Sequence, residues 1–153
     1  MSETNKVDEA PVPVEGLNHV AIAVPDLDAA VAFYREKFGC MVTTIVEVES
    51  QGVRMAYVKL ADAKLELMEP LNEYSPIAKF LNRNPKGGIH HICLTVPDVA
   101  EAADGASVAG IRVLGDGKPV KGYEGQDLFF MHPKDTLGTL IEIEEPKIKN
   151  HKS

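Results

Sequence analysis

A chain of 153 residues with 44% hydrophobic and 25% charged side chains has the make-up of one ordinary globular domain, which excludes fibrous, disordered and disulfide-framework classes. Its formal charge of −7 lacks the basic footprint that a sequence-independent grip on nucleic acid needs, so no nucleic-acid partner is expected and an anionic ligand must find a local basic patch. No apolar run approaches the roughly 18 residues of a membrane span, so no membrane partner is expected either.

Residues 1–15 are acidic and proline-containing, without the arginine bias of a transit peptide, and are expected to form a flexible N-terminal arm. A strand follows at Leu17–Ile22, then a helix at Leu27–Phe38 with Asp26 as its N-cap. Three further strands are expected at Met41–Val48, Val53–Leu60 and Lys64–Met68, separated by Ser50-Gln51-Gly52 and Ala61-Asp62-Ala63. A linker over 72–87 contains a short helix with Ser75 as cap and Pro76 at its first position.

The chain then repeats itself. His-Val-Ala-Ile-Ala-Val-Pro-Asp-Leu at 19–27 is answered by His-Ile-Cys-Leu-Thr-Val-Pro-Asp-Val at 91–99, an offset of 91 − 19 = 72 residues. The second copy is expected to hold a strand at Ile89–Leu94, a helix at Val99–Ala109 capped by Asp98, and strands at Ile111–Leu114, Gln126–His132 and Gly138–Glu144. The unit is β-α-β-β-β used twice, module one over 16–71 and module two over 88–146, in one α+β domain at 16–146 whose sheet curls into an incomplete barrel. Residues 147–153 read as a tail. Cys40 and Cys93 lie in apolar settings and read as buried thiols of a reducing compartment, cytoplasm or mitochondrial matrix.

Strand side chains alternate between faces, which puts His19 with Ala21 and Ala23, opposite Val20, Ile22 and Val24. By the same count His91 opposes Ile92 and Leu94, Glu66 opposes Leu65 and Leu67, and Glu142 opposes Ile141 and Ile143. All four polar groups are expected on the helix-free, concave face. A lone histidine in a strand is more often a satisfied core or surface group than a ligand, and a lone glutamate more often faces solvent. The repeat weighs against that, because the histidines match and each acid lies in its copy's last strand. Buried ionised carboxylates need a partner, and one shared divalent cation supplies it. Two nitrogens and two oxygens with positions left open suit a catalytic Co²⁺, Zn²⁺, Ni²⁺ or Mn²⁺ site.

Among the remaining groups, His90 shares the face of Ile92 and Leu94 and is assigned to packing or hydrogen bonding. His132 ends a strand near the mouth of the cleft, as a substrate contact or a turn residue. Lys134 is the better candidate for an anionic ligand, beside Lys118 and Lys121. Glu47, Glu49, Glu144 and Glu145 are read as surface acids.

These features resemble the vicinal oxygen chelate (glyoxalase/bleomycin-resistance) superfamily, over about Gly16 to Pro146. The finer resemblance is to its methylmalonyl-CoA epimerase family. It is carried by Leu65-Glu66-Leu67-Met68-Glu69-Pro70-Leu71, the run from Ser75 to Leu81, Gly88-Ile89-His90-His91-Ile92, His132-Pro133-Lys134 and Leu140-Ile141-Glu142 in that order. The resemblance implies His19, Glu66, His91 and Glu142 as ligands of one divalent ion, Co²⁺ foremost, a CoA thioester as substrate with contacts from His132 and Lys134, and a homodimer. It implies interconversion of (R)- and (S)-methylmalonyl-CoA through an enolate. Certain bacterial relatives carry acids just before and after the Gln-Gly-Val turn as candidate bases, whereas this chain has Ser50 and Met55 there. Glu66 and Glu142 are therefore the expected catalytic pair. The competing expectations are a glyoxalase I-type lactoylglutathione lyase, which would act on methylglyoxal with glutathione, and a metal-free ligand-binding protein of the same fold.

Overall fold

The computed structural model describes residues 9–146. The expected tail at 147–153 and residues 1–8 of the expected arm lie outside the described residues. The chain is α+β, and its described residues divide into two compact units, Leu17–Cys93 and a second that joins those before Leu17 with those from Leu94 to Pro146. Among the described residues no helix is long and apolar enough to cross a membrane.

In the first unit, β1 (Gly16–Ala23) leads into α1 (Leu27–Phe38), where the Asp26 carboxylate accepts from Ala29 N–H and Gly39, at φ 67°, closes the C-terminus. The expected strand at 41–48 is broken in two, β2 (Met41–Val42) and β3 (Val46–Val48). The break has a local cause: Thr43 Oγ1 accepts the Tyr57 N–H, 2.9 Å, so the side chain takes over a ladder bond. Then come β4 (Val53–Lys59), β5 (Lys64–Pro70), α2 (Pro76–Arg83) and the start of β6 (Gly88–Thr95), with strand order β2-β4-β5-β1-β6 and β3 paired to β4.

One face of this sheet packs on α1: Ile22, Val24, Leu65, Leu67, Ala56 and Val58 meet Leu27 and Val31. The opposite face, expected to be free of helices, carries α2, because Ile77, Phe80 and Leu81 pack with Ala21, Ala23, Met55 and Met68. An eight-residue helix with apolar groups on one side has to bury them, and the chain folds it back through Gly87 (φ 94°), where a Cβ would lie 2.6 Å from the Ala23 carbonyl oxygen.

The second unit holds α3 (Val99–Val108), β7 (Val120–Lys121), β8 (Asp127–Met131) and β9 (Ile141–Glu144). The strand expected at 111–114 is reduced to a single bridge between Val113 and Met131, because Ile111 N–H is taken by the Ala106 carbonyl at the helix end. Its core mirrors that around α1, with Ala102, Ala103 and Ala106 of α3 against Phe129, Met131 and Ile143. Val12 joins that core, Glu15 N–H donates to Thr95 O at 2.8 Å, and an alanine Cβ at Gly105 would collide with the Pro11 carbonyl. The stretch from Pro11 to Glu15, expected to be part of a flexible arm, is thus docked against α3 and the end of β6, held by one partly buried valine and one backbone hydrogen bond.

Each module closes on itself by the same device, which the sequence reading missed. The Glu69 carboxylate at the end of β5 accepts the first amide of α1 (Leu27 N–H, 2.7 Å), and the Glu145 carboxylate accepts the first amide of α3 (Val99 N–H, 2.9 Å). An acid satisfies an orphan donor and meets the positive end of the helix. Glu145 is therefore a structural cap rather than a surface acid. Glu69 also holds Arg54 at 2.7 Å, and that hydrogen bond is the main cause raising the guanidinium's pKa above its usual range.

The loop before β9 supplies two predictions. Leu137 sits in the left-handed region (φ 62°) with its side chain wholly exposed, while Thr136 Oγ1 donates to Thr139 O at 2.6 Å and pins the turn. A branched residue there is strained by roughly 1–2 kcal/mol and packs against nothing that offsets it. Leu137→Gly is expected to stabilise the fold by about 1 kcal/mol after its gain in unfolded-state entropy, raising Tm by a few degrees in a calorimetric scan. A fall in Tm would show that the leucine makes a stabilising contact.

In the same loop Asp135 accepts from Arg112 Nε at 2.8 Å and Nη2 at 3.1 Å. These side-chain bonds, and then the Arg112 backbone N–H, lower the carboxyl from its ordinary 3.8 to about 2. A pKa depressed in the folded state contributes stability that is present above the ordinary value and lost as pH falls through about 2. In Arg112→Ala the Asp135 carboxyl is expected to titrate back near its ordinary value by ¹³C NMR; an unchanged titration would mean that the backbone amide alone holds it down.

Candidate metal centre

Three of the four expected ligands meet within the first unit. His19 on β1, Glu66 on β5 and His91 on β6 are 3%, 8% and 5% exposed. Parallel pairing sets Glu66 opposite Ala21, so by the two-residue strand period it shares the face of His19. His19 Nε2 lies 3.3 Å from Glu66 Oε1 and 3.4 Å from His91 Nε2, and ligand atoms of all three fall within 4.8 Å of one another.

The spacing passes a fit test. Two ligand atoms each about 2.1 Å from a tetrahedral ion stand about 3.4 Å apart, which is the separation found around His19 Nε2. The donors are also chemically suited: two imidazoles and a carboxylate are the borderline set that binds Zn²⁺, Co²⁺ and Ni²⁺. A carboxylate this buried beside two rings has a use for a cation.

Residues adjacent in sequence hold both rings. Asn18 Oδ1 is 2.6 Å from His19 Nδ1, and His90 Nδ1 is 2.9 Å from His91 Nδ1. The His90 ring also stands edge-on to Phe80 of α2, centroids 5.2 Å apart. Burial, and then the neighbouring His91, lowers the His90 pKa to about 4, so this ring is neutral at pH 7. Its expected role in packing or hydrogen bonding matches these contacts. Asn18 was not among the expected site residues.

Glu142 lies in the second unit, 5% exposed on β9 and paired with Phe130 of β8. Glu144, read from sequence as a surface acid, is 6% exposed and takes a hydrogen bond from Gln126 Nε2 at 3.4 Å. Two residues from Glu142 on a strand, it lies on the same face, so the expectation that it is a surface acid is overturned. Glu47 and Glu49 are exposed, as expected.

The expected substrate contacts occupy the loop after β8. His132 Nδ1 accepts the Lys134 N–H at 3.1 Å and so caps a short 3₁₀ turn (Pro133–Asp135), the turn role being the one its contacts define. Lys134 is exposed, whereas Lys121 is held by Asp127 at 2.8 Å. Ser50 is exposed in the turn after β3, and Met55 is 1% exposed in the apolar cluster under α2, so neither place holds an acid. Cys40 is half-buried and Cys93 buried, neither in a disulfide.

The family model described as the Glyoxalase/Bleomycin resistance protein/Dioxygenase superfamily matches residues 18–130. The chain is 50% identical over 129 residues to the ethylmalonyl-CoA/methylmalonyl-CoA epimerase of Cereibacter sphaeroides, covering 84% of this chain and 96% of that protein. It is 43% identical over 129 residues to the mitochondrial methylmalonyl-CoA epimerase of Homo sapiens, covering 84% and 73%. Among solved structures, it is similar to methylmalonyl-CoA epimerase from Mycobacterium tuberculosis with TM-score 0.81 and 34% identity over 90% of this chain and 91% of that one. A Streptomyces coelicolor methylmalonyl-CoA epimerase variant in complex with 2-nitronate-propionyl-CoA gives TM-score 0.81 and 37% identity over 89% and 100%.

Proposed function

The chain belongs to the Glyoxalase/Bleomycin resistance protein/Dioxygenase superfamily, and from that premise we propose that it is an epimerase interconverting (R)- and (S)-methylmalonyl-CoA. The observation that carries this reading is the buried trio of His19, Glu66 and His91, with donor atoms spaced for one ion, in a chain 50% identical to an epimerase of that name. That relative's name includes ethylmalonyl-CoA, so the homologous ester is a second substrate to test.

His19, Glu66 and His91 would hold the divalent ion, Co²⁺ foremost, and Glu142 is proposed as the fourth ligand. A divalent cation bound there supplies positive charge to the oxygens on which an enolate's charge develops. The chain's own groups handle the proton. A carboxylate takes the C2 proton, the C–H electron pair moves toward the thioester oxygen, and a carboxylic acid on the other face returns a proton, so that the centre inverts with no net change in charge. Glu66 and Glu142 are proposed for these two positions. Lys134 and His132 are proposed as contacts to the CoA portion, and a second copy of the chain as partner, to be checked by light scattering. Cytoplasm or mitochondrial matrix is the proposed compartment; the human relative is named as mitochondrial.

The test is NMR of the purified protein, divalent metal and (R)-methylmalonyl-CoA in D₂O. Loss of the C2 proton with formation of both configurations is expected. Activity on methylglyoxal with glutathione and none on methylmalonyl-CoA would reassign the protein as a lactoylglutathione lyase, and absence of both activities and of bound metal would leave a ligand-binding protein.

A further inference from the structure

The two halves of the chain orient their histidines with different residues in the same place. Asn18 precedes His19 and His90 precedes His91, and 90 − 18 = 91 − 19 = 72, the repeat offset. In both pairs the preceding side chain meets the Nδ1 of the histidine, at 2.6 Å from Asn18 Oδ1 and 2.9 Å from His90 Nδ1. In both, the Nε2 is the atom facing the other ring, 3.4 Å away.

We propose that Asn18 and His90 are equivalent positioning residues, each taking the Nδ1–H of the following histidine so that both rings present a bare Nε2 to the ion. This inference rests on the metal-centre reading above. An amide oxygen can only accept, so the Asn18 contact requires the proton on His19 Nδ1 and leaves Nε2 as a lone pair. His90 does the same for His91 when its own proton sits on Nε2, leaving its Nδ1 as acceptor. Outer hydrogen bonds of this kind raise the basicity of an imidazole ligand and fix its angle.

The two supports differ in what holds them. Asn18 is half-buried on β1, whereas the His90 ring leans on Phe80 of α2, so the linker helix reaches one ligand through two rings. Phe80 is itself packed with the cluster containing Ala21 and Ile77. Helix α2 therefore becomes part of the metal centre's scaffold without touching the ion.

The equivalence provides a specific test, because an asparagine at position 90 should do what Asn18 does. Zn²⁺ affinity is measured by competition with a chromophoric chelator, and ring ¹⁵N shifts are recorded on the Zn²⁺-loaded protein. Asn18→Leu and His90→Phe are each expected to weaken Zn²⁺ binding by about 10- to 100-fold, the usual loss for such partners. His90→Asn is expected to stay within a few-fold of wild type, with His91 still metallated at Nε2, and Asn18→Asp is expected to bind at least as tightly as wild type. Wild-type affinity in both apolar variants, metallation of His91 through Nδ1, or failure of His90→Asn to recover what His90→Phe loses would each overturn the proposal. Should the wild-type chain bind no divalent ion, the metal-centre reading itself falls and takes this inference with it, an outcome distinct from tight wild-type binding that the variants leave untouched.

Discussion

Replacing His91 by alanine is expected to abolish tight binding of a divalent ion and to lower epimerisation by on the order of a thousandfold or more. His91 is 5% exposed, and its Nε2 stands 3.4 Å from that of His19, so removal deletes one of two nitrogen donors and leaves a single ring with Glu66 and the proposed Glu142. Charge stabilisation at a developing enolate is worth several kcal/mol, and each 1.36 kcal/mol is a factor of ten in rate, which sets the scale of the loss. A trivial folding defect is separable from this. The wild-type protein should gain about 2.7 kcal/mol of stability at a hundredfold excess of Zn²⁺ over its Kd, read as a rise in Tm, while His91→Ala should melt cooperatively with no such rise. His91→Gln is the companion variant if alanine proves too disruptive. A His91→Ala protein that still shows the wild-type Zn²⁺ shift and turns over at the wild-type rate would remove this ring from the centre.

The convergence of His19, Glu66 and His91 was legible because it depends on one robust regularity, the two-residue period of strands. Once β1, β5 and β6 are located, parity decides which side chains share a face, and the repeat picks out the histidines from ordinary core residues. The same parity placed Glu144 beside Glu142, but closeness to the end of the chain favoured solvent, whereas Gln126, just before β8, donates to the carboxylate. What was hidden depends on side-chain direction between elements distant in sequence. That Glu145 caps α3, or that Ile77 and Phe80 of α2 cover the Ala21 face, follows from where chain reversals bring elements together, which no periodicity encodes. The strand expected at 111–114 failed for a different reason. Ile111 and Val113 do pack against the core while Leu114 is exposed, and with the Ile111 amide taken by the end of α3 the pairing stops at the one bridge between Val113 and Met131.

Glu66→Gln and Glu142→Gln are expected to uncouple proton exchange from inversion. A glutamine keeps an oxygen that can face a cation but cannot accept the C2 proton, so each variant tests proton transfer while perturbing the shape of the site little. If the two carboxylates serve opposite faces of C2, then in D₂O each variant should exchange the proton of one configuration and not the other, and inversion should fall by about 10²- to 10⁴-fold in both. The two variants should also show opposite preferences, which a generally weakened site would not produce. Glu144→Gln is the informative control. Glu144 is as buried as Glu142, lies two residues along β9 and holds Gln126, yet it stands where module one has Met68, since 144 − 68 = 142 − 66 = 76. If the proposed proton-transfer role is common to both copies, it falls to Glu66 and Glu142, and Glu144→Gln should retain exchange of both configurations. Wild-type exchange in both Glu66→Gln and Glu142→Gln with metal bound would exclude them as bases, and selective loss in Glu144→Gln would move the second proton-transfer role to that carboxylate.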